Sequence, residues 1–312
     1  MTRKIIIDCD PGIDDAVALC IALFDPRLDV LAITATAGTV EAAQATNNVS
    51  AILGQLDPPR YPRVGKASVP GNAAVIDDRH LNGSDGLGDS DFQTPDRQHQ
   101  VASEKVMGEL LRKHPGEVTL VCLGPLTNVA RLCQRDPMAV PLIDKIVISG
   151  GSIHRPGNAT PAAEWNCFFD AESASEVFES ATTKSLVPLD ATESVKFGVQ
   201  LLEQLPPKYT RAGALLQHVL TFAFRAAHQR LGREMISLYD ATTMLAVLEP
   251  DVFTWKNMAG KVETRGELTR GMTVFDRRMR PKWPMNMEVA VDVDSVDARE
   301  MVIRSLRYAG QQ

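Results

Sequence analysis

Residues 4–24 read KIIIDCDPGIDDAVALCIALF, a run that joins a predicted strand to a predicted helix. The β-branched residues Ile5, Ile6 and Ile7 are typical of a short buried strand, and from position 14 onward apolar residues recur at helical spacing. Pro11 and Gly12 lie between these segments and favour a sharp turn. The run therefore predicts the first strand-turn-helix unit of an α/β protein.

The turn contains four carboxylates, Asp8, Asp10, Asp14 and Asp15. Four negative charges within a few ångströms repel one another unless some are protonated or a cation binds among them. Helix capping and the helix dipole account for one or two of these acids, but not for four. In open α/β sheets, ligands bind at the carboxyl ends of the strands, where these acids lie. Protonation stays open as an alternative, but the turn favours a metal site.

The composition is that of an ordinary globular protein, with 312 residues, of which 44% are hydrophobic and 23% charged. The formal net charge of -6 argues against nucleic acid as a partner. The sequence has neither a recognisable signal peptide nor an apolar stretch long enough for a bilayer, so we expect a cytoplasmic protein with no membrane partner. Its five scattered cysteines have neither disulfide nor zinc spacing, which indicates buried thiols in a reducing compartment.

Apolar strands alternate with amphipathic helices along the chain. The expected strand and helix pairs lie at 30–36 and 40–56, 118–123 and 126–133, and 143–149 and 171–180. Such alternation predicts right-handed βαβ units in a mostly parallel open sheet flanked by helices. No linker divides the sequence, so we expect one α/β domain over residues 1–312. Two segments interrupt the pattern: a loop at 70–95, which we interpret as an active-site loop, and a helical segment at 209–235.

Polar clusters also follow later strands. Gly124-Pro125-Leu126-Thr127-Asn128 follows the strand at 118–123, and the segment GNATPAAEWN at 157–166 comes after the strand at 143–149. Tyr239 and Asp240 precede a further helix. Each cluster alone would fit turn and capping chemistry. Because the carboxyl ends of parallel strands share one edge of the sheet, we expect these clusters to face the same crevice as the first acids.

Taken together, these motifs resemble those of the nucleoside hydrolases, the inosine-uridine-preferring nucleoside N-ribohydrolase family. The resemblance also includes GELTRGMTV at 266–274 and NMEVA at 286–290, so it covers nearly the whole chain. It implies a Rossmann-like nucleoside hydrolase fold and a calcium-dependent enzyme that cleaves the N-glycosidic bond of a small-molecule ribonucleoside with water. It further implies a homodimer or homotetramer that acts in purine or pyrimidine salvage.

The resemblance assigns the calcium ligands to Asp10, Asp15, Asp240 and the backbone carbonyl of Thr127. Such a set suits calcium, which takes about six to eight oxygen ligands. Asp10 is also the implied general base, which takes a proton from the attacking water. We interpret Asp8 either as a residue that orients these ligands or as plain support for the turn.

The family holds the ribose through residues that correspond to Asp14, Asn158, Glu164 and Asn166. Because buried polar groups that expect hydroxyls are left unpaired when a hydroxyl is missing, we expect rejection of 2′-deoxyribosides.

Four positions depart from the family pattern. Tyr239 stands where many relatives have His, Thr39 where they often have Asn, Asn82 where they have His, and Ser149 where they have Met. The replaced His is thought to protonate the leaving base in some members, and tyrosine is a weaker acid at neutral pH. We therefore interpret Tyr239 as a leaving-group contact and expect altered substrate preference or weakened activity.

The motifs assign few of the residues that would surround the base. We expect Thr39, Asn82 and His228 to contact the substrate. The candidates for the missing acid are His80, His154 and His228, with Arg230 and Arg233 as cationic alternatives.

Two other functions stay open at this point. Tyr239, Asn82 and Thr39 would also fit a ribose or nucleoside binder of the same fold that has altered specificity or no catalytic activity. Asp8 and Asp10 after a strand would fit a phosphatase of the haloacid-dehalogenase type, with an aspartate nucleophile and magnesium. Against the phosphatase, that motif has Thr or Val at its fifth position, which is Gly12 here, and it does not predict two further acids.

Overall fold

The computed structural model describes residues 2–74, 77, 79–94 and 100–311. Within these ranges the strands are β1 (Arg3–Cys9), β2 (Leu28–Ala35), β3 (Arg63–Lys66), β4 (Val101–Ala102), β5 (Val118–Cys122), β6 (Ile143–Ser149), β7 (Lys184–Val187), β8 (Lys196–Gly198), β9 (Met235–Ser237), β10 (Phe253–Met258), β11 (Gly260–Val262), β12 (Thr273–Phe275) and β13 (Met287–Val293). The α-helices are α1 (Ile13–Phe24), α2 (Ala42–Leu56), α3 (Arg79–Asn82), α4 (Ser103–Lys113), α5 (Thr127–Arg135), α6 (Trp165–Phe169), α7 (Ala171–Glu179), α8 (Leu189–Thr192), α9 (Arg211–Leu231), α10 (Tyr239–Leu248) and α11 (Ser295–Ala309). Short 3-10 helices lie at Pro137–Leu142, Val199–Gln204 and Pro250–Val252.

The main sheet has nine strands in the order β10-β13-β7-β6-β5-β1-β2-β3-β4. All neighbours are parallel except β10 and β13. From β1 the chain builds β2, β3 and β4 on one side, and it then returns to place β5, β6 and β7 on the other side. The connections that leave β1 and β5 therefore diverge, and this topology opens a crevice at their carboxyl ends. The predicted mostly parallel α/β sheet is confirmed.

Helices cover both faces of this sheet, which is why β1 reads as a continuous apolar run and not as an alternating one. Ile5 and Ile7 belong to the core beneath α1, α2, α9, α10 and α11. Ile6 points to the opposite face and belongs to the core beneath α4, α5 and α7. All three side chains are fully buried. The acids that follow β1 are thus fixed to a strand that is packed on both sides.

The two segments that interrupt the alternation both contribute to the crevice. The segment 209–235 contains α9, which ends at Leu231 because Gly232 adopts a left-handed conformation with φ of 63°. The loop 70–95 contains α3, and positions 75, 76, 78 and 95 of this predicted loop lie outside the described residues. None of the helices in the described ranges combines the length and apolar character needed to cross a membrane.

Candidate active site

The four acids of the turn at 8–15 lie in two different environments. Asp8 is still part of β1, and its Oδ1 accepts hydrogen bonds from Thr34 Oγ1 (2.7 Å) and Asn128 Nδ2 (2.8 Å) in the buried layer beneath the crevice. Asp10, Asp14 and Asp15 follow the strand and line a cavity of about 650 Å³. Asp8 therefore joins the ends of β1 and β2 to α5, while the other three acids face the cavity.

Asp10 is held between the segments that follow β2 and β5. Thr39 donates to Asp10 Oδ2 from its backbone nitrogen (2.7 Å) and from its hydroxyl (3.0 Å). A Cβ at Gly38 would lie 2.1 Å from Asp10 Oδ2, and a Cβ at Gly124 would lie 2.3 Å from Asp10 Oδ1. Only glycine permits these close approaches. Thr39 lines the cavity as well, so the same residue orients the Asp10 carboxylate.

The start of α10 brings a fourth acid to this group. The backbone nitrogen of Asp240 donates to Asp14 Oδ2 (3.1 Å), although the two residues are 226 positions apart. Asp14 thereby caps α10, where the helix dipole favours negative charge. Ser149, at the end of β6, donates from its hydroxyl to Asp240 Oδ1 (3.1 Å). We call Asp10, Asp14, Asp15 and Asp240 the acidic floor.

The electrostatics of the acidic floor are strained without a counter-charge. Burial raises the pKa of Asp14 from 3.8 to about 7 and that of Asp15 from 3.8 to about 6. Burial, and then the charge of Asp15, raise the pKa values of Asp10 and Asp240 well above their ordinary range. The charged forms of these carboxylates are therefore disfavoured. Protonation would remove the charge, and a bound cation would stabilise it.

The donor chemistry of the acidic floor fits a hard divalent cation. Asp15 Oδ1 is buried and has no hydrogen-bond partner among the described residues. Over the same ranges, no group of three or more His, Cys, Asp or Glu side chains could hold a metal ion by itself. A cation such as calcium also takes carbonyl, water and hydroxyl oxygens, so the floor needs to supply only part of its ligands.

Thr127, the predicted carbonyl ligand, is buried as the first residue of α5. Its hydroxyl donates to Asp170 Oδ2 (2.7 Å). Thr127 is not among the residues that line the cavity, whereas Gly124, three positions earlier, is in close contact with Asp10.

Three predicted binding residues form a second polar group along the cavity. Glu164 caps α6 and accepts hydrogen bonds from the backbone nitrogens of Gly151 (2.9 Å) and Asn166 (2.9 Å). The Asn166 amide donates to the carbonyls of Leu123 (2.7 Å) and Ser149 (3.1 Å). The exposed Asn158 accepts a hydrogen bond from the backbone nitrogen of Trp165 (2.8 Å). The structure therefore brings Glu164, Asn158 and Asn166 to the same cavity as the acidic floor.

A third group of charged residues adjoins Tyr239, and the sequence motifs indicated only part of it. Tyr239 donates a long hydrogen bond from its hydroxyl to Glu193 Oε1 (3.5 Å), and Glu193 Oε2 pairs with Arg155 (3.1 Å). Lys196 donates to Ser237 Oγ (2.8 Å), and Arg233 lines the cavity beside Glu193 and Tyr239. We call Arg155, Glu193, Lys196 and Arg233 the charged wall. Apart from Arg233, its members lie in β8, in a loop and directly after α8. These segments carry no recognisable motif, so the residues could be found only from the fold.

The remaining predicted residues divide between the cavity and the surface. Asn82 and His80, from α3, line the cavity. The structure does not bring His228 to it: this side chain is 66% exposed on the outside of α9 and contacts Glu234 (3.0 Å). His154 and Arg230 do not line the cavity either.

Comparisons with known proteins agree with this arrangement. The family model described as inosine-uridine preferring nucleoside hydrolase matches residues 5–300. The non-specific ribonucleoside hydrolase RihC of Escherichia coli K12 is 35% identical over 310 residues, which cover 99% of this chain and 100% of that protein. A solved plant nucleoside hydrolase, PpNRh1, has a TM-score of 0.87 at 30% identity and covers 98% of this chain and 99% of its own. The purine-preferring ribonucleoside hydrolase from Gardnerella vaginalis has a TM-score of 0.89 at 25% identity and covers 99% of this chain and 100% of its own.

Proposed function

This chain belongs to the inosine-uridine preferring nucleoside hydrolase family, and we propose that it uses a calcium ion and Asp10 to cleave the N-glycosidic bond of a ribonucleoside with water. Hydrolysis of an N-glycosyl bond follows from the family, and the calcium ion and the residue roles are the further step. The observation that carries this step is the acidic floor, in which Asp240 meets the acids that follow β1.

The residues that would hold calcium are Asp10, Asp15 and Asp240, together with the Thr127 carbonyl. A divalent cation stabilises the charged form of buried carboxylates, and the unpartnered Asp15 Oδ1 is a suitable ligand atom. When bound, the ion would supply positive charge that favours deprotonation of the attacking water.

Asp10 is the residue we propose as the general base. The two hydrogen bonds from Thr39 hold its carboxylate in one orientation, so little reorganisation is needed when it takes a proton. A bond forms between the water oxygen and C1′ while the C1′–N bond breaks, and its electron pair leaves on the base nitrogen. One proton of the water passes to Asp10. The negative floor stabilises the oxocarbenium-like transition state.

The hydroxyls of the ribose would be held by Asp14, Asn158, Glu164 and Asn166. Asp14 and Glu164 are already fixed because each caps a helix, α10 and α6 respectively. Asn166 is fixed through its two bonds to backbone carbonyls. Pre-set groups of this kind orient the sugar at small entropic cost. We propose that Thr39 and Asn82, which line the cavity, contact the same substrate.

Turnover of inosine, uridine, adenosine and cytidine, with calcium and after its removal, tests this proposal. We expect activity that depends on calcium and that is abolished in Asp10→Ala. Near-normal hydrolysis by that variant would refute the role of Asp10 as the base.

The binder alternative is tested with p-nitrophenyl riboside, whose leaving group needs no acid. Failure to hydrolyse this compound with calcium present would favour a ribose binder. The relatives described above are nucleoside hydrolases, so they give no support to a phosphatase.

We also propose a homodimer or homotetramer that acts in the cytoplasm in purine or pyrimidine salvage. Analytical ultracentrifugation would test the assembly, and a sedimentation coefficient of a 34.0 kDa monomer would contradict it.

A further inference from the structure

Two residues of the charged wall, Glu193 and Arg233, line the same cavity as apolar side chains of α9. The apolar residues are Ala223, Ala227 and Leu231, and Tyr239 lines the cavity as well. Arg233 directly follows α9, where its backbone nitrogen donates to the Ala227 carbonyl (3.1 Å). A cavity lined by both apolar and polar side chains suits a flat heteroaromatic ring that has hydrogen-bonding groups on its edge. Given the proposed function, in which the acidic floor and Glu164 hold the ribose, this part of the cavity receives the base.

The charged wall carries an excess of positive charge. Arg155, Lys196 and Arg233 contribute three cations, and Glu193 contributes one carboxylate. Glu193 is engaged by Arg155 (3.1 Å) and by the Tyr239 hydroxyl (3.5 Å). The Arg233 guanidinium makes no hydrogen bond or ion pair with any residue within the described ranges.

The three cations lie close enough to influence one another. Lys196 is half buried in β8 and bonds to Ser237, its partner in β9. Burial lowers the pKa of Lys196. The charge of Glu193 opposes this shift, and the smaller effects of the Arg233 and Arg155 charges lower the pKa again. Like charges that are gathered in this way are stabilised by an anion placed between them.

Tyr239, beside the charged wall, is a poor proton donor for the departing base. Burial, and then the charge of Glu193, raise the pKa of Tyr239, so its hydroxyl stays protonated. That proton points to Glu193 in the hydrogen bond described above. A base that can leave without first being protonated suits such a pocket.

We propose that the charged wall binds negative charge on the leaving base, so that the preferred substrate is a riboside with an acidic base. The charge comes either from a carboxylate on the ring or from ionisation of the ring itself. Arg233 is the specificity-determining residue because it lines the cavity and its guanidinium has no partner among the described residues.

The bond changes balance without any further reactant. Water forms the new C1′–O bond, the C1′–N electron pair stays on the base, and the water proton passes to Asp10. When the base is a carboxypyridinium, the ring nitrogen becomes neutral and the carboxylate keeps its charge. When the base is an ionised oxopurine, it carries one negative charge before cleavage and gains a second with the C1′–N electron pair, and the positive charges of the wall stabilise this second charge as the base departs.

Matched pairs of substrates separate the two sources of charge. Nicotinate riboside and nicotinamide riboside differ only in a carboxylate and a carboxamide, and xanthosine is compared with inosine as a more acidic oxopurine. We expect kcat/KM to be at least about tenfold higher for nicotinate riboside than for nicotinamide riboside, as for a charge-assisted contact. A higher value for xanthosine alone would assign the charge to the ring.

Variants connect this preference to the wall. Arg233→Gln should reduce the preference for the acidic member of each pair to near one, and Arg233→Lys should retain part of it. Arg230→Gln is the control, because this arginine lies three positions before Arg233, near the end of α9, and does not line the cavity, so its loss should leave every ratio unchanged. Equal rates within the pairs, or a preference that survives Arg233→Gln, overturn the proposal. Faster cleavage of inosine 5′-monophosphate than of inosine also overturns it, because the wall would then bind charge on the sugar side.

Failure of this inference is distinguishable from failure of the proposed function. Hydrolysis of inosine without a preference for acidic bases overturns only the inference. Loss of all turnover, including that of p-nitrophenyl riboside, contradicts the proposed function. Calorimetry then still tests the wall, because free nicotinate should bind more tightly than nicotinamide to the wild type but not to Arg233→Gln, and equal binding refutes the inference.

Discussion

The metal-free protein should lose stability as the pH rises from about 5 to about 7.5, and calcium should cancel this loss. The pKa values of Asp15 and Asp14 are about 6 and about 7 in the folded chain, against 3.8 for an unperturbed aspartate. At pH values between 3.8 and about 7, the folded state therefore binds more protons than the unfolded state. The stability that is present near pH 4 is therefore lost as the pH rises through the folded pKa values.

The magnitude follows from the shift of one carboxyl group. Moving the pKa of Asp15 from 3.8 to about 6 disfavours its charged form by about 3 kcal/mol, at about 1.4 kcal/mol per pKa unit. Asp14 lies in the same cluster, so its contribution is not simply additive, and we take about 3 kcal/mol as the scale of the effect. For a chain of this length that corresponds to a fall in Tm of about 6 °C, at about 2 °C per kcal/mol.

The assay is thermal unfolding at pH 5, 6, 7 and 7.5, after passage over a chelating resin and again with saturating calcium. Asp77 and Asp276 do not mask the trend. Their pKa values are lowered, so their contributions to the free energy of unfolding no longer change above pH 5. Asp15→Asn should reduce the slope of the metal-free curve, while Asp14 and Asp8, whose pKa values burial raises to about 7, still titrate in this window. A metal-free protein that is equally stable, or more stable, at pH 7.5 than at pH 5 would show that the floor does not carry this strain.

Three further predictions concern activity. Gly38→Ala places a methyl group against Asp10 Oδ2 and should lower kcat/KM by at least about 100-fold. Gly71→Ala is its control: the added methyl group would contact no other part of the protein within 4 Å, so this variant should keep the wild-type rate in the same assay. Tyr239→Phe should change kcat for inosine less than about threefold, because its hydroxyl is directed to Glu193, and a loss above about 100-fold would identify it as the acid. Inosine should be cleaved about 10⁴-fold more efficiently than 2′-deoxyinosine, and comparable kcat/KM values would rule out the hydroxyl contacts of Glu164 and Asn166.

The sequence predicted the parts of the molecule that depend on local chemistry. The run of Ile5, Ile6 and Ile7 indicated a strand buried on both faces, and the structure places both cores against it. The expected strand at 143–149 coincides with β6, and the expected helix at 171–180 is α7 (Ala171–Glu179). These elements follow from hydrophobic period and capping residues, which a linear sequence displays directly.

The charged wall could not be predicted in the same way. Glu193 ends a one-turn helix, and Lys196 and Ser237 face each other only because β8 pairs with β9. Their positions depend on contacts between segments about 40 residues apart, for which no local pattern exists. His228 shows the reverse problem: the sequence predicts a substrate contact for this histidine, but α9 turns its side chain toward solvent.

The separation of the acidic floor from the charged wall explains how one fold can change its substrate without losing its chemistry. The floor is held by the ends of β1 and β6 and by the cap of α10, all of which are packed into the core. The wall is built on α8 and the small β8–β9 sheet, and its side chains are half buried or exposed. A substitution such as Arg233→Gln should therefore alter the choice of base while Tm stays within about 1 °C, because surface changes of this kind cost little stability. Asp240→Asn, one residue from Tyr239, should instead abolish turnover for every riboside. If both variants lowered activity by the same factor on all substrates, the floor and the wall would have to be regarded as one functional unit.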